Sequence, residues 1–347
     1  MSEAILAIRL RALGDVVLVT PALRALARES AGRPVEVVTE ARYAPLLEGL
    51  EGVSRVWPLE RSAAGTIGLA RQLRSRRYAV AVDFFGNPRS AQLVAASGAP
   101  ITAGFDLRGR RHAYRVRVPR DAPAEGGGRE HASVAHLRLA IAVGGVVDGR
   151  EPRVAVSESA RPRAAALLAE AGVTDPSRAI GLVAAGTWPT KTWPWSHAAS
   201  LARRLMERGR ELLLLSGPGE EAANASLAAL ASGLRRLPPC GVGELAAVIE
   251  RLGAVIGTDS GPRHLAAALR VPTYAWFGPT SPETWQPPGP LHGYWQTSLP
   301  CRSCDRTICP HWSCMPELTP SVAAARVIEH LEGLRGQAPA LRAVAGA

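Results

Sequence analysis

Lys191 is the single lysine among the 41 cationic side chains of the chain; the other 40 are arginines. It sits in Ala185-Gly186-Thr187-Trp188-Pro189-Thr190-Lys191-Thr192, a run of small, hydroxyl and backbone-donor groups. An ammonium beside such donors suits a phosphate, and a position that kept lysine against so strong an arginine habit stands apart from an ordinary surface cation. Further along, Thr258-Asp259-Ser260-Gly261-Pro262-Arg263-His264 places Gly-Pro at a helix start. The unbonded N–H groups and positive dipole end of such a start make a diphosphate seat, to which Ser260 and His264 add donors. Asp259 suits a ribose hydroxyl. The plainer alternative is that Asp259 or Ser260 caps the helix and His264 packs on its side.

A third candidate is Asp15, in Arg9-Leu10-Arg11-Ala12-Leu13-Gly14-Asp15-Val16. Gly14 permits an unusual backbone conformation, and Asp15 follows where a strand gives way to a helix. It either caps that helix or serves as a general base. Glu220 or Glu221, beside Gly217 and Gly219, can bind a nucleoside hydroxyl; the same run fits a G-x-G-x-x-A dinucleotide pattern, a weak match in a chain with 34 glycines. Cys301, Cys304, Cys309 and Cys314 enclose His311, and they either hold a structural zinc, pair reversibly or stay as free thiols. A catalytic metal is disfavoured because the chain has no Asp-x-Asp pair.

These residues need strands and helices to hold them. In residues 1–150, buried strands are expected at 5–10, 35–39, 53–58, 79–83 and 101–105. Helices are expected at 21–30, 43–48, 64–76, 89–97 and 131–143, with a loop at 121–130. A second series has strands at 179–184, 211–216, 254–257 and 273–277, and helices at 195–208, 220–231, 243–251 and 262–269. This is the alternation of two doubly wound α/β units. The expected organisation is an N-terminal domain over 1–155, a linker over 156–178, a C-terminal domain over 179–330 and a tail over 331–347. Ligands of such sheets bind at the carboxyl ends of strands, where Asp15, Lys191, Asp259 and the Gly217–Glu221 run fall.

The composition narrows the class. At 47% hydrophobic and 20% charged the chain falls in the ordinary globular range. It has no apolar run of membrane-spanning length and no basic, signal-like start, so a soluble, cytoplasmic protein is expected. The net charge of +11 is uneven: residues 1–150 hold 22 arginines against 14 acids. Six of these, Arg108, Arg110, Arg111, Arg115, Arg117 and Arg120, fall within thirteen residues. Either that half meets an anionic partner or the arginines form a solvated face. Nucleic acid is not the expected partner, because the aromatic residues lie mostly in 188–312, away from the basic cluster.

Taken together, the turns resemble glycosyltransferase family 9, the heptosyltransferases of the lipopolysaccharide inner core. The likeness is carried by Arg11-Ala-Leu-Gly14-Asp15-Val-Val with Thr20-Pro21-Ala-Leu, by Lys191-Thr-Trp-Pro, by Gly257-Thr-Asp259-Ser-Gly-Pro-Arg-His264-Leu and by Phe277-Gly-Pro-Thr280-Ser-Pro, and it covers nearly the whole chain. It implies a GT-B fold of two Rossmann-like domains facing a cleft, with the acceptor on the first and the sugar nucleotide on the second. It further implies inverting, metal-independent transfer of heptose from ADP-heptose to an anionic glycolipid acceptor bearing Kdo and phosphates, at the inner face of the cytoplasmic membrane. Asp15 would be the base and Lys191 would stabilise the leaving diphosphate. Thr187, Thr190, Glu220, Asp259, Ser260, Gly261 and His264 would bind the donor, and Gly14, Arg89 and Arg111 the acceptor. Arg263 stands where members of the family often carry a smaller or apolar residue. The alternatives are a family 9 transferase of another sugar or acceptor, and a nicotinamide-dependent oxidoreductase read from Gly217 and Gly219.

Overall fold

The computed structural model describes residues 4–29, 31–124, 127–217 and 219–336, with the side chains at 221–224 and 335–336 left out. The chain divides into two compact units, Met1–Ala160 with Gly241–Ala246 and Arg161–Cys240 with Ala247–Ala347. The first unit runs β1 (Ala4–Ile8), α1 (Leu13–Leu18), α2 (Thr20–Ala27), β2 (Val35–Glu40), β3 (Val53–Leu59), α3 (Ala63–Ser75), β4 (Tyr78–Asp83), α4 (Pro88–Ser97), β5 (Ile101–Phe105), β6 (Val116–Val118) and α5 (Ala132–Ile141). Its strands pair in parallel in the order β3-β2-β1-β4-β5-β6. Each of β1, β2 and β4 is buried along its whole length, as a parallel sheet covered on both faces requires. Along β1 the side chains alternate: Ile5 and Ala7 join one core cluster with Leu23, Val37 and Phe84, while Leu6 and Ile8 join another with Leu73, Leu93 and Tyr114.

The rest of the chain runs α6 (Ala160–Glu170), β7 (Ile180–Val183), α7 (Trp195–Met206), β8 (Leu212–Leu214), α8 (Glu221–Leu230), β9 (Arg235–Arg236), α9 (Val242–Ile249), β10 (Ala254–Thr258), α10 (Gly261–Ala268), β11 (Thr273–Phe277), α11 (Pro282–Trp285), β12 (His292–Gln296), α12 (Cys314–Glu317) and α13 (Pro320–Gly336), all in the second unit except Ala160 and residues 242–246 of α9, which are grouped with the first. The parallel order is β12-β11-β10-β7-β8-β9. Read from its own first strand, this is the strand order of the first unit. The core gathers Leu182, Leu201, Leu214, Ile256 and Val327 around the tilted ring pair Trp193–Trp276, whose centroids lie 4.4 Å apart.

The structure departs from the expected elements at several places. Residues 13–18 form a helix, α1, in the turn expected between the strand ending at residue 10 and the helix starting at residue 21. The helix expected at 43–48 is a 3-10 turn, Ala41–Leu46, because Pro45 inside it cannot donate an α-helical hydrogen bond. The expected linker contains α6, which buries Ala164, Leu167 and Leu168 and falls, from Arg161 onward, in the second unit. The expected tail continues α13 through Gly336, and residues 337–347 lie outside the described ones. No helix among the described residues is long and apolar enough to cross a membrane.

Candidate active site

In each sheet the first and fourth strands of the unit are neighbours, and from that point the strand order runs in opposite directions. Loops at the carboxyl ends of two such strands diverge and leave a crevice, the usual ligand site of an open α/β sheet. Asp15 follows β1 beside the turn after β4. The Lys191 turn follows β7 beside the Asp259 turn after β10.

In the first unit, Asp15 lies in the first turn of α1, where the helix dipole favours a carboxylate. Its Oδ1 is 2.6 Å from Arg9 Nη2, and its Oδ2 accepts the Ala12 N–H at 3.4 Å. Arg9 is buried. It donates to the Phe84 carbonyl at 2.5 Å and lies 5.0 Å from the Phe85 ring centroid. Asp83 shapes that second turn: Oδ1 accepts the N–H groups of Phe85 and Gly86, each at 2.9 Å, and Oδ2 accepts the Tyr114 hydroxyl at 2.6 Å. Burial raises the Asp83 pKa. Beneath, His136 donates from Nδ1 to the Leu18 carbonyl at 3.2 Å. Burial, with the Arg9 cation second, pushes its pKa down to about 3, so the imidazole is neutral and Arg9 is the cation that faces Asp15.

In the second unit, the turn after β7 folds Lys191 back on the strand end. Gly186 makes room for it, since a Cβ there would lie 2.5 Å from Lys191 Cβ. Gly257, at φ +149°, lets β10 approach β7 so closely that a Cβ would stand 2.0 Å from the Val183 carbonyl oxygen. Lys191 Nζ reaches Asp259 Oδ2 at 3.0 Å and lies 5.3 Å from the Trp188 ring centroid. Asp259 is buried, with Arg263 Nη2 at 2.9 Å and His264 Nε2 at 3.5 Å from Oδ1. Burial alone would raise its carboxyl, but Lys191, His264 and Arg263 override this and hold it well below the usual carboxylate range. Ser260 is the N-cap of α10, yet its hydroxyl makes no capping bond. Ser260 Oγ, His264 Nδ1 and Thr280 Oγ1 are all buried without a hydrogen-bond partner. Buried polar groups are seldom left in this state, and these three lie at the carboxyl ends of the adjacent strands β10 and β11.

Residues 301–318 brace the Lys191 turn and the turn after β11. Thr190 Oγ1 donates to the Arg306 carbonyl at 2.7 Å, and the Thr190 carbonyl accepts Trp312 Nε1 at 3.2 Å. The Trp193 indole N–H donates to the Leu318 carbonyl at 2.9 Å. On the other side, Asp305 N–H donates to the Pro279 carbonyl at 2.8 Å, and Gly278 leaves space for Met315 and Cys314.

The expected residues therefore separate. Lys191, Asp259, Ser260, Gly261 and His264 are brought together. Thr190 adjoins them but gives its hydroxyl proton to the brace, and Thr187 is exposed. Glu220 Oε2 accepts the Gly217 N–H at 2.9 Å at the end of β8. The dinucleotide-like run thus follows the second strand of its unit, whereas such a fingerprint belongs after the first. Gly14 is an ordinary residue of right-handed α1, so the unusual backbone expected there is absent. Arg89 joins α4 to the start of α3, donating to Thr66 Oγ1 at 2.8 Å, to the Ser62 carbonyl at 3.3 Å and to the Glu60 carbonyl. Arg111 is exposed in a 3-10 turn. The thiols of Cys301, Cys304, Cys309 and Cys314 are free. Among the described residues no three His, Cys, Asp or Glu side chains converge to hold a metal, so of the three alternatives for these cysteines the structure shows the free thiols. Cys301 and Cys304 are exposed, whereas Cys314 turns in against Gly278. Arg9 goes unmarked in the sequence, although a charged residue directly after a buried strand is a usable signal.

Residues 66–312 match the model of a family described as glycosyltransferase family 9 (heptosyltransferase). Lipopolysaccharide heptosyltransferase 1 of Pseudomonas aeruginosa is 31% identical over 320 residues, covering 88% of this chain and 87% of that protein. Lipopolysaccharide heptosyltransferase 3 of Escherichia coli is 24% identical over 288 residues, covering 79% and 83%. Among solved structures, a family 9 glycosyltransferase from Veillonella parvula superposes with a TM-score of 0.84 at 20% identity, over 96% of this chain and 98% of that one. The ADP-heptose lipopolysaccharide heptosyltransferase II of E. coli does so with a TM-score of 0.77 at 21% identity, over 96% and 99%. The two like-ordered parallel sheets, with these likenesses, are those of a GT-B fold.

Proposed function

The chain belongs to glycosyltransferase family 9, the heptosyltransferase family, and on that premise we propose that it transfers heptose from ADP-heptose to an anionic inner-core lipopolysaccharide acceptor with inversion. The observation that carries the donor half is the trio of unpartnered buried atoms, Ser260 Oγ, His264 Nδ1 and Thr280 Oγ1, beside the Lys191–Asp259 pair. A diphosphate at the start of α10 would supply acceptors for the Ser260 and Thr280 hydroxyls, and a ligand hydroxyl would supply a donor for His264 Nδ1, whose neutral ring faces Asp259 through Nε2. Glu220 and Asp259 would take hydroxyls of the ribose or sugar. An E. coli heptosyltransferase solved with ADP shares the fold at a TM-score of 0.72 and 22% identity.

In the reaction, the Asp15 carboxylate takes the proton of an acceptor hydroxyl as its oxygen attacks the anomeric carbon. The bond from that carbon to the β-phosphate oxygen breaks, and ADP departs with one more negative charge. Lys191 and the N–H groups opening α10 meet that charge, so the proposed chemistry is metal-independent. Arginines of the first unit, Arg111 and Arg120 among them, would meet acceptor phosphates and carboxylates. The enzyme would work in the cytoplasm as a peripheral protein at the membrane face where the acceptor is presented. Thermal unfolding tests the donor reading: ADP is expected to raise the midpoint more than UDP or GDP at equal concentration. Equal shifts from the three nucleotides would refute it, and absence of heptose transfer to a Kdo-bearing lipid A would refute the acceptor.

A further inference from the structure

Asp259 meets more positive charge than it can neutralise. Lys191 faces Oδ2 and Arg263 faces Oδ1, while burial, and Arg263 with it, depresses the His264 pKa and keeps that imidazole neutral. One carboxylate is therefore shared by two cations of very different freedom. Arg263 is 1% exposed. Its Nη1 donates to Gln286 Oε1 at 2.9 Å, its Nη2 also donates to the Trp285 carbonyl at 2.6 Å, and its guanidinium lies 5.1 Å from the Phe277 ring centroid. Gln286 is fixed in turn, donating from Nε2 to the His292 carbonyl at 2.6 Å. Lys191 ends a flexible stem whose ammonium lies by the Trp188 ring and Asp259. Burying a guanidinium is costly, and an apolar residue on α10 would avoid that cost.

We propose that Arg263 is a positioning residue for Lys191: by claiming Asp259 Oδ1 it divides the carboxylate's charge, so that Lys191 is held in place yet free to turn to a nucleoside diphosphate. The cluster keeps one positive charge in excess, which only an anion can satisfy. This rests on the donor reading above. Without Arg263, Asp259 and Lys191 would close into a neutral pair that competes with the ligand.

Calorimetric titration with ADP and with adenosine, which lacks the diphosphate, tests this on the full chain. Arg263→Gln keeps an N–H donor on α10 but removes the charge; it is expected to weaken ADP at least tenfold and to leave adenosine within twofold. Arg263→Lys restores the charge and is expected to recover ADP to within threefold of wild type. In an Asp259→Asn background, Lys191 has no carboxylate to share, and adding Arg263→Gln should cost ADP less than threefold. Equal losses for both ligands, an unchanged ADP affinity in Arg263→Gln, or no recovery in Arg263→Lys would each overturn the inference. If the wild type fails to prefer ADP to adenosine, the donor reading itself falls; if it does prefer ADP and Arg263→Gln keeps that preference, only the role of Arg263 falls.

Discussion

Asp15 and Arg9 form an ion pair, and under the proposed mechanism the two residues have separable effects. Asp15→Asn is expected to lower transfer about 10³-fold while ADP affinity, measured by calorimetry, stays within twofold; a parallel loss of both would show that Asp15 is not a base. Arg9→Met removes the cation that favours the ionised carboxylate. The acid limb of the kcat/KM profile should then move to higher pH, and an unmoved limb would detach Arg9 from the chemistry. Legibility at this scale followed contrast. Lys191 stood out because every other cation is arginine. Arg9 did not, since one more arginine carries no compositional signal, and its partners Phe84 and Phe85 lie 75 or more residues away in sequence. Nor could a pattern of types separate Arg89, spent on tying α4 to α3, from an arginine that reaches a ligand.

At the scale of elements, the turn that presents Lys191 depends on two close backbone approaches. Gly257→Ala is expected to destabilise the second unit by about 3 kcal/mol or more, because both its φ and the Val183 carbonyl exclude a Cβ. Urea unfolding would read this as a lower midpoint, and an unchanged midpoint would show that β10 shifts at little cost. The central strands were legible because burial on both faces makes them short apolar runs. Of the four edge strands, β3 was legible but β6, β9 and β12 were not: β9 is Arg235–Arg236, and β12 mixes His292 and Gln296 with aromatics. Helix α1 was hidden because it is only six residues long and follows β1 after four residues. Helix α6 was hidden by Arg161, Pro162 and Arg163, which read as linker.

At the scale of the whole molecule, pH dependence follows from groups buried in their neutral form. His136 has a folded pKa of about 3 against the ordinary 6.5. Between those values the unfolded chain binds a proton that the folded chain does not, so stability falls as pH drops through this window, by at most about 1.4 kcal/mol per pH unit. His292, whose pKa burial also pushes down to about 3, acts in the same direction. His136→Gln can still donate to the Leu18 carbonyl, and from pH 7 to pH 5 it should lose about 2 kcal/mol less than the wild type in urea unfolding. Identical losses would mean that His136 titrates normally in the folded protein. The common strand order of the two sheets was not visible as a repeat, because topology constrains which strands are buried and not which residues fill them.

The brace at 301–318 also sets an order in time. Thr190 waits 122 residues for Trp312, and Trp193 waits 125 for Leu318. At translation rates of about 5–20 residues per second, that interval is on the order of ten seconds. During synthesis the turn bearing Lys191 is thus made well before it is fastened. A nascent or truncated chain ending near residue 300 would carry Lys191 and Asp259 without the struts from Arg306, Trp312 and Leu318 that hold the Lys191 turn.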